Sequence, residues 1–83
     1  MFTKWDNISF IVRSNPRKRV FLALTEPKTP TQLSKELKLN VGFISNILIV
    51  LLKRGLIECL SPNEKRHRFY QISKKGKEIV KEI

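Results

Sequence analysis

The chain has 83 residues, the length of one domain. Its 17 Lys and Arg against 7 Asp and Glu give a net charge of +10. That excess points to an anionic partner, nucleic acid first and an anionic membrane surface second, with a lysine-rich solvated surface as the plain alternative.

A single cysteine excludes an intrachain disulfide and a cysteine-based zinc cluster. The longest apolar run, Ile47 to Leu52, falls far short of the roughly 20 residues of a membrane span. The first residues lack the apolar core of a signal peptide, so the expectation is a cytoplasmic chain with no membrane partner. Trp5, Ile8, Ile11 and Val12 follow helical spacing and predict a first helix within residues 3–13. Ser14-Asn15-Pro16 ends it. Asn15 as N-cap, with Pro16 in the first turn, predicts a second helix whose apolar side is Val20, Phe21, Ala23 and Leu24. That first turn carries Arg17, Lys18 and Arg19, where the helix dipole disfavours cations. Either an external anion or simple solvation accounts for them.

Glu26-Pro27-Lys28 reads as a linker. "TPTQLSKEL", residues 29–37, is a strong helix start. Thr29 caps, Pro30 suits the first position, Gln32 completes a capping box, and Leu33 and Leu37 face the core. Lys38-Leu39-Asn40 is a tight connection. Asn40 then caps a helix running from Val41 to near Arg54, which Gly55 closes in the left-handed conformation. "LIECL", residues 56–60, and "HRFYQIS", residues 67–73, predict two strands joined through "SPNEKR". Arg68, Tyr70 and Ile72 share one face of the second strand. Ser73 caps a last helix with Ile79, Val80 and Ile83 as its apolar side, and Gly76 weakens its start.

This order predicts a mainly α chain with a small β-hairpin (α+β), a winged helix-turn-helix with an extra N-terminal helix. The domain is single, residues 1–83: the extra helix in 1–14, the helix-turn-helix in 29–54, the wing hairpin in 56–72 and the C-terminal helix in 73–83. No nucleophile stands beside a base, and no glycine-rich phosphate loop or suggestive carboxylate pair is present, so no enzyme and no cofactor is expected. His67 has no neighbouring ligands for a metal, and Cys59 reads as a packed strand cysteine rather than a redox sensor.

Three stretches, "TPTQLSKEL", "ISNILIVLLKRGLIE" and "RFYQISKKGKE", together resemble the winged helix-turn-helix transcriptional regulators. The likeness is strongest to small prokaryotic, especially archaeal, members of the MarR-like and ArsR-like groups. The family's "T-x-x-x-L-A-x-x-L", "V-S-x-x-L-x-x-L-x-x-x-G-L-V" and "Y-x-L-T-x-x-G" fall on residues 29–37, 44–57 and 70–76, and the match spans roughly residues 16–77. The resemblance implies sequence-specific or semi-specific binding of double-stranded DNA as a transcriptional regulator. The small size of the domain and its surplus N-terminal helix point to a homodimer, and no small-molecule effector is evident. Winged helices also serve as protein-interaction or RNA-binding modules, which are the alternative functions.

Advancing about 100° per residue from Ile44 puts Val41, Ile47, Leu48, Leu51 and Leu52 on its side, the expected core stripe. The opposite side holds Gly42, Phe43, Asn46, Ile49, Val50 and Lys53, with Ser45 at the border. The N-terminal half of such a helix enters the major groove, so Gly42, Phe43, Ser45 and Asn46 are the candidate readers. Asn46 suits adenine and Phe43 a thymine methyl. Phe43 packed on a neighbouring helix and Asn46 merely solvated are the plainer readings. None of the four is basic, unlike many members of the family. Ile49 and Val50 are expected to pack under the first helix, with Trp5 and Ile8, or against a second subunit. The resemblance assigns the wing residues Arg66 and Arg68, with Lys65 in support, to the phosphate backbone and minor groove; stacking on the hairpin is the other reading of Arg68. Thr31, Arg17 and Lys18 complete the DNA-contact candidates, and Lys74, Lys75 and Lys77 are further cations.

Overall fold

The computed structural model describes residues 3–61 and 68–83. Its elements are α1 (Lys4–Val12), α2 (Asn15–Ala23), α3 (Pro30–Leu37), α4 (Val41–Lys53), β1 (Ile57–Cys59), β2 (Tyr70–Ile72) and α5 (Lys74–Val80). The chain is therefore mainly helical with one antiparallel hairpin, in the expected order. Residues 62–67, which include the wing candidates Lys65 and Arg66 and also His67, lie outside the described residues.

Side-chain caps start every helix. Thr3 and Asp6 form a reciprocal box on α1, each bond 3.1 Å. Hydrogen bonds from the Thr3 backbone and side chain hold the Asp6 carboxyl below the usual aspartate range, and nearby Arg54 adds to the effect. Thr29 and Gln32 form the expected box on α3, at 2.9 and 3.1 Å. Asn40 Oδ1 accepts from the Gly42 and Phe43 amides on α4, and Ser73 accepts from Gly76 on α5. One cap differs from the sequence reading. Ser14, not Asn15, caps α2, because Ser14 has the extended backbone that lets its hydroxyl accept from the Arg17 amide, while Asn15 is already helical.

Ile11, Val20, Phe21, Leu24, Leu33, Ile44, Leu51 and Leu56 are wholly buried in one core cluster. α4 supplies four members, Ile44, Ile47, Leu48 and Leu51. Each such side chain contributes about 1.5–3 kcal/mol on burial. Their spacing is narrower than the expected stripe. Val41 and Leu52 sit at its border and are exposed.

β1 and β2 pair with Ile57 opposite Ile72 and Cys59 opposite Tyr70. The segment read as a linker takes part: the Lys28 amide and carbonyl bond to Tyr70 at 3.0 and 2.9 Å, giving β2 a one-residue partner on its other edge. Gly76 does not merely weaken α5. It is buried, and a Cβ there would stand 2.2 Å from the Leu56 carbonyl oxygen, so the missing side chain lets α5 rest on the sheet.

Candidate nucleic-acid interface

α3 and α4 meet through a turn that local chemistry specifies. Lys38 adopts the left-handed conformation, φ 58°, and its amide bonds to the Ser34 carbonyl. The Ser34 hydroxyl donates to the Leu39 carbonyl. Asn40 follows at once as the cap of α4, so three residues turn the chain and start the second helix. At the far end Gly55, φ 71°, delivers the chain to the hairpin, and its carbonyl accepts from Ser73 at 2.6 Å.

The solvent face of α4 holds Gly42, Phe43 and Asn46, all exposed. Phe43 is 44% exposed and so is not sunk against a neighbouring helix. The Gly42 amide donates 2.7 Å to Asn40, and a Cβ at Gly42 would crowd that same oxygen at 3.0 Å. Its small size thus serves the cap. Ser45 is half-buried and spends its hydroxyl on the Val41 carbonyl, 3.0 Å away. Thr31 stands exposed in the first turn of α3. Arg68 is exposed where the described hairpin resumes, while Lys65 and Arg66 lie outside the described residues.

The basic turn of α2 divides. Arg17 is half-buried, donates to the Phe10 carbonyl and lies over the Phe10 ring, 3.7 Å from its centroid. Burial first, then repulsion from Arg54 and Arg13, pushes its guanidinium below the usual arginine value. Arg19 donates to the Leu37 carbonyl at 3.0 Å and so caps the end of α3. Arg17 and Arg19 therefore join helices to one another. Lys18, half-buried, has no such bond among the described residues. Lys28 is held by Glu36 at 2.7 Å, and Lys75 donates to the Arg54 carbonyl at 3.2 Å.

Arg54 was read from sequence only as the end of α4. In the structure its guanidinium also lies over Phe10 at 3.7 Å, and it donates to Asn7 Oδ1 at 3.1 Å. Asn7 is wholly buried, and its Nδ2 has no partner. This polar cluster fastens α1 to the end of α4. One sequence signal could have found it: Asn7 precedes the core residue Ile11 by one helical turn and shares its face.

α1 packs on α2 and α5, so it does not cover Ile49 and Val50. These remain 50% and 38% exposed. Trp5 is 72% exposed, and Ile8 packs half-buried against the core. The expectation that α1 covers the flank of α4 is thereby corrected: α1 meets Arg54 at the end of α4 through Asn7 and Phe10, and leaves Ile49 and Val50 exposed.

Among the described residues no group of three His, Cys, Asp or Glu is placed to hold a metal. No described helix is long and apolar enough to cross a membrane.

Neither a family model nor a curated protein sequence matches the chain. Solved structures do. A mutant MarR from E. coli complexed with operator DNA is 24% identical, with a TM-score of 0.75, over 90% of this chain and 56% of that one. A MarR family transcription regulator is 26% identical, with a TM-score of 0.71, over 90% and 54%. RV1404 from Mycobacterium tuberculosis is 20% identical, with a TM-score of 0.75, over 89% and 54%. The chain spans about half the length of these structures. Its fold is a winged helix-turn-helix, and the MarR structures among these matches agree with the MarR part of the resemblance drawn from sequence.

Proposed function

We propose that the chain binds double-stranded DNA as a transcriptional regulator, with α4 in the major groove and the wing along the backbone. The observation that carries this is the open N-terminal face of α4 on a chain of net charge +10. The structural likeness to MarR complexed with operator DNA supports it. Asn46 and Phe43 read bases, Thr31 and Lys18 meet phosphates, and Arg66, Arg68 and Lys65 grip the backbone or minor groove. Arg17, engaged with Phe10, drops out of the contact set.

Titration of duplex DNA against salt tests this. Log K is expected to fall linearly with log salt, by about 0.9 for each phosphate neutralised. Arg66→Ala with Arg68→Ala should weaken binding to every duplex and make that slope shallower by about 2. Asn46→Ala should instead flatten sequence preference, by about 1–3 kcal/mol at one base pair. Duplex affinity unchanged in the double wing variant would remove the wing from the interface.

A homodimer through α1 belongs to the same proposal. Trp5 and Val12 leave an apolar strip of α1 exposed, and so small a domain gains stability by self-association. Sedimentation should find a dimer that Trp5→Glu makes monomeric. The exposed Ile49 and Val50 favour a second reading, a protein-interaction module. It requires little duplex affinity near physiological salt, and partner binding lost in Ile49→Asp. Competition with structured RNA separates the third reading.

A further inference from the structure

α4 presents a base-reading surface with an unusual chemistry. Gly42, Asn46, Ile49 and Lys53 recur at helical spacing and form one exposed stripe, with Phe43 and Val50 exposed along its edge. Guanine is read in the major groove by Arg or Lys, and cytosine by Asp or Glu. The first three turns of α4 contain neither type. Lys53 lies in the last turn, and the guanidinium of Arg54 bonds to Asn7 beside Phe10. What the stripe does offer is one carboxamide and a branched apolar side chain, four and seven residues beyond Gly42.

We propose that this stripe recognises A·T base pairs in the major groove, with Asn46 on adenine and Ile49 against the C5-methyl group of thymine. The proposal rests on the DNA-binding reading above and names its target chemistry. Adenine shows an N7 acceptor and an N6 donor, which a carboxamide matches with both its atoms, and only thymine shows a methyl group there. Asn46 is exposed and forms no side-chain hydrogen bond among the described residues, so both its atoms are available. The Ser45 hydroxyl, the nearest rival polar group, is already bonded to Val41. A thymine methyl seated on Ile49 removes apolar surface of both from water, worth about a fourfold gain in affinity per methyl.

Charge favours duplex DNA as the occupant of this apolar face. Segment 29–54 contains four cations, Lys35, Lys38, Lys53 and Arg54, against one acid, Glu36. Glu36 is held by Lys28 at 2.7 Å. No acidic side chain on α4 opposes the phosphates flanking the groove. An RNA duplex fits poorly, because its major groove is too deep and narrow for side chains to read.

The test compares two short alternating duplexes, one of A·T pairs and one with uracil in place of every thymine. They carry equal charge and differ in the methyl groups. The wild-type chain should bind the thymine duplex at least about fourfold more tightly. Ile49→Ala should lower that preference by about fourfold, the share of one methyl contact, and should keep the wild-type circular dichroism. Salt-sensitive binding of both duplexes with equal affinity by the wild type would overturn methyl reading and leave the DNA-binding function standing. Absence of binding to either, with an alternating G·C duplex also unbound, would overturn the function itself. If Ile49→Asp makes a dimeric chain monomeric, the face belongs to a second copy and the inference fails.

Discussion

Gly76→Ala is expected to lower stability by about 3 kcal/mol or more, at or beyond the upper end of ordinary overpacking. Helix propensity alone argues the opposite, since Ala exceeds Gly by about 1 kcal/mol inside a helix. The packing decides the sign. The new methyl would stand 2.2 Å from the Leu56 carbonyl oxygen and 2.6 Å from Ile72 Cγ2. Neither obstacle yields easily. The Leu56 carbonyl accepts a 3.0 Å bond from the Ser73 amide, and Ile72 is a buried strand residue paired with Ile57. α5 would have to lift off the sheet, uncovering Ile79. For a domain of this size the midpoint of thermal unfolding should fall by about 12–24 °C, followed by circular dichroism. A shift smaller than about 4 °C would mean that α5 slides at little cost, and that the close approach is not a constraint.

The second large effect is expected at Arg54. Its guanidinium answers Asn7 Oδ1 and covers Phe10, and Asn7 is wholly buried with its Nδ2 already unpaired. Arg54→Ala leaves a buried amide with neither end satisfied and removes a cation from an aromatic ring. Lost satisfaction costs about 1–3 kcal/mol, and the ring contact about 0.5–2 kcal/mol. A total near 3 kcal/mol in urea unfolding is expected for a domain whose whole stability is about 5–10 kcal/mol. A companion variant separates this cause from general damage. Asn7→Leu added to Arg54→Ala removes the unsatisfied amide and should recover at least half of the loss, because taking away both polar partners costs less than taking away one. If the pair of changes is merely additive, the Asn7–Arg54 bond is not what holds α1 in place.

Much of the fold was legible because its signals are short-range. The Thr29–Gln32 box, the Asn40 cap and the left-handed Gly55 each act within about one helical turn, and each appears where the letters put it. The order of elements follows from these caps and from apolar spacing, and it sufficed to name the fold. Boundaries were less legible. The described strands are three residues each, although beyond them the Leu60 amide still bonds to the Phe69 carbonyl at 2.8 Å and the Phe69 amide donates to the Ser61 hydroxyl.

The candidate interface was legible in part for a similar reason. Helical spacing alone puts Gly42, Phe43 and Asn46 on the outer side of α4. It could not tell which cations are available. Arg17, Lys18 and Arg19 are adjacent letters of like charge, yet two of them are drawn into contacts with Phe10 and Leu37. Nor could it place Ile49 and Val50, whose exposure depends on where α1 docks.

Sequence by itself thus determined where α3, α4 and α5 begin, how the helix-turn-helix closes, and which side of α4 turns outward, because those depend on neighbours a few residues away. Tertiary structure alone decided that Asn7 meets Arg54 across 47 positions, that Gly76 lies under the Leu56 carbonyl, and that α1 leaves the flank of α4 bare. Such contacts are set by how whole elements pack, and packing is a property of shape and burial that no local run of letters contains.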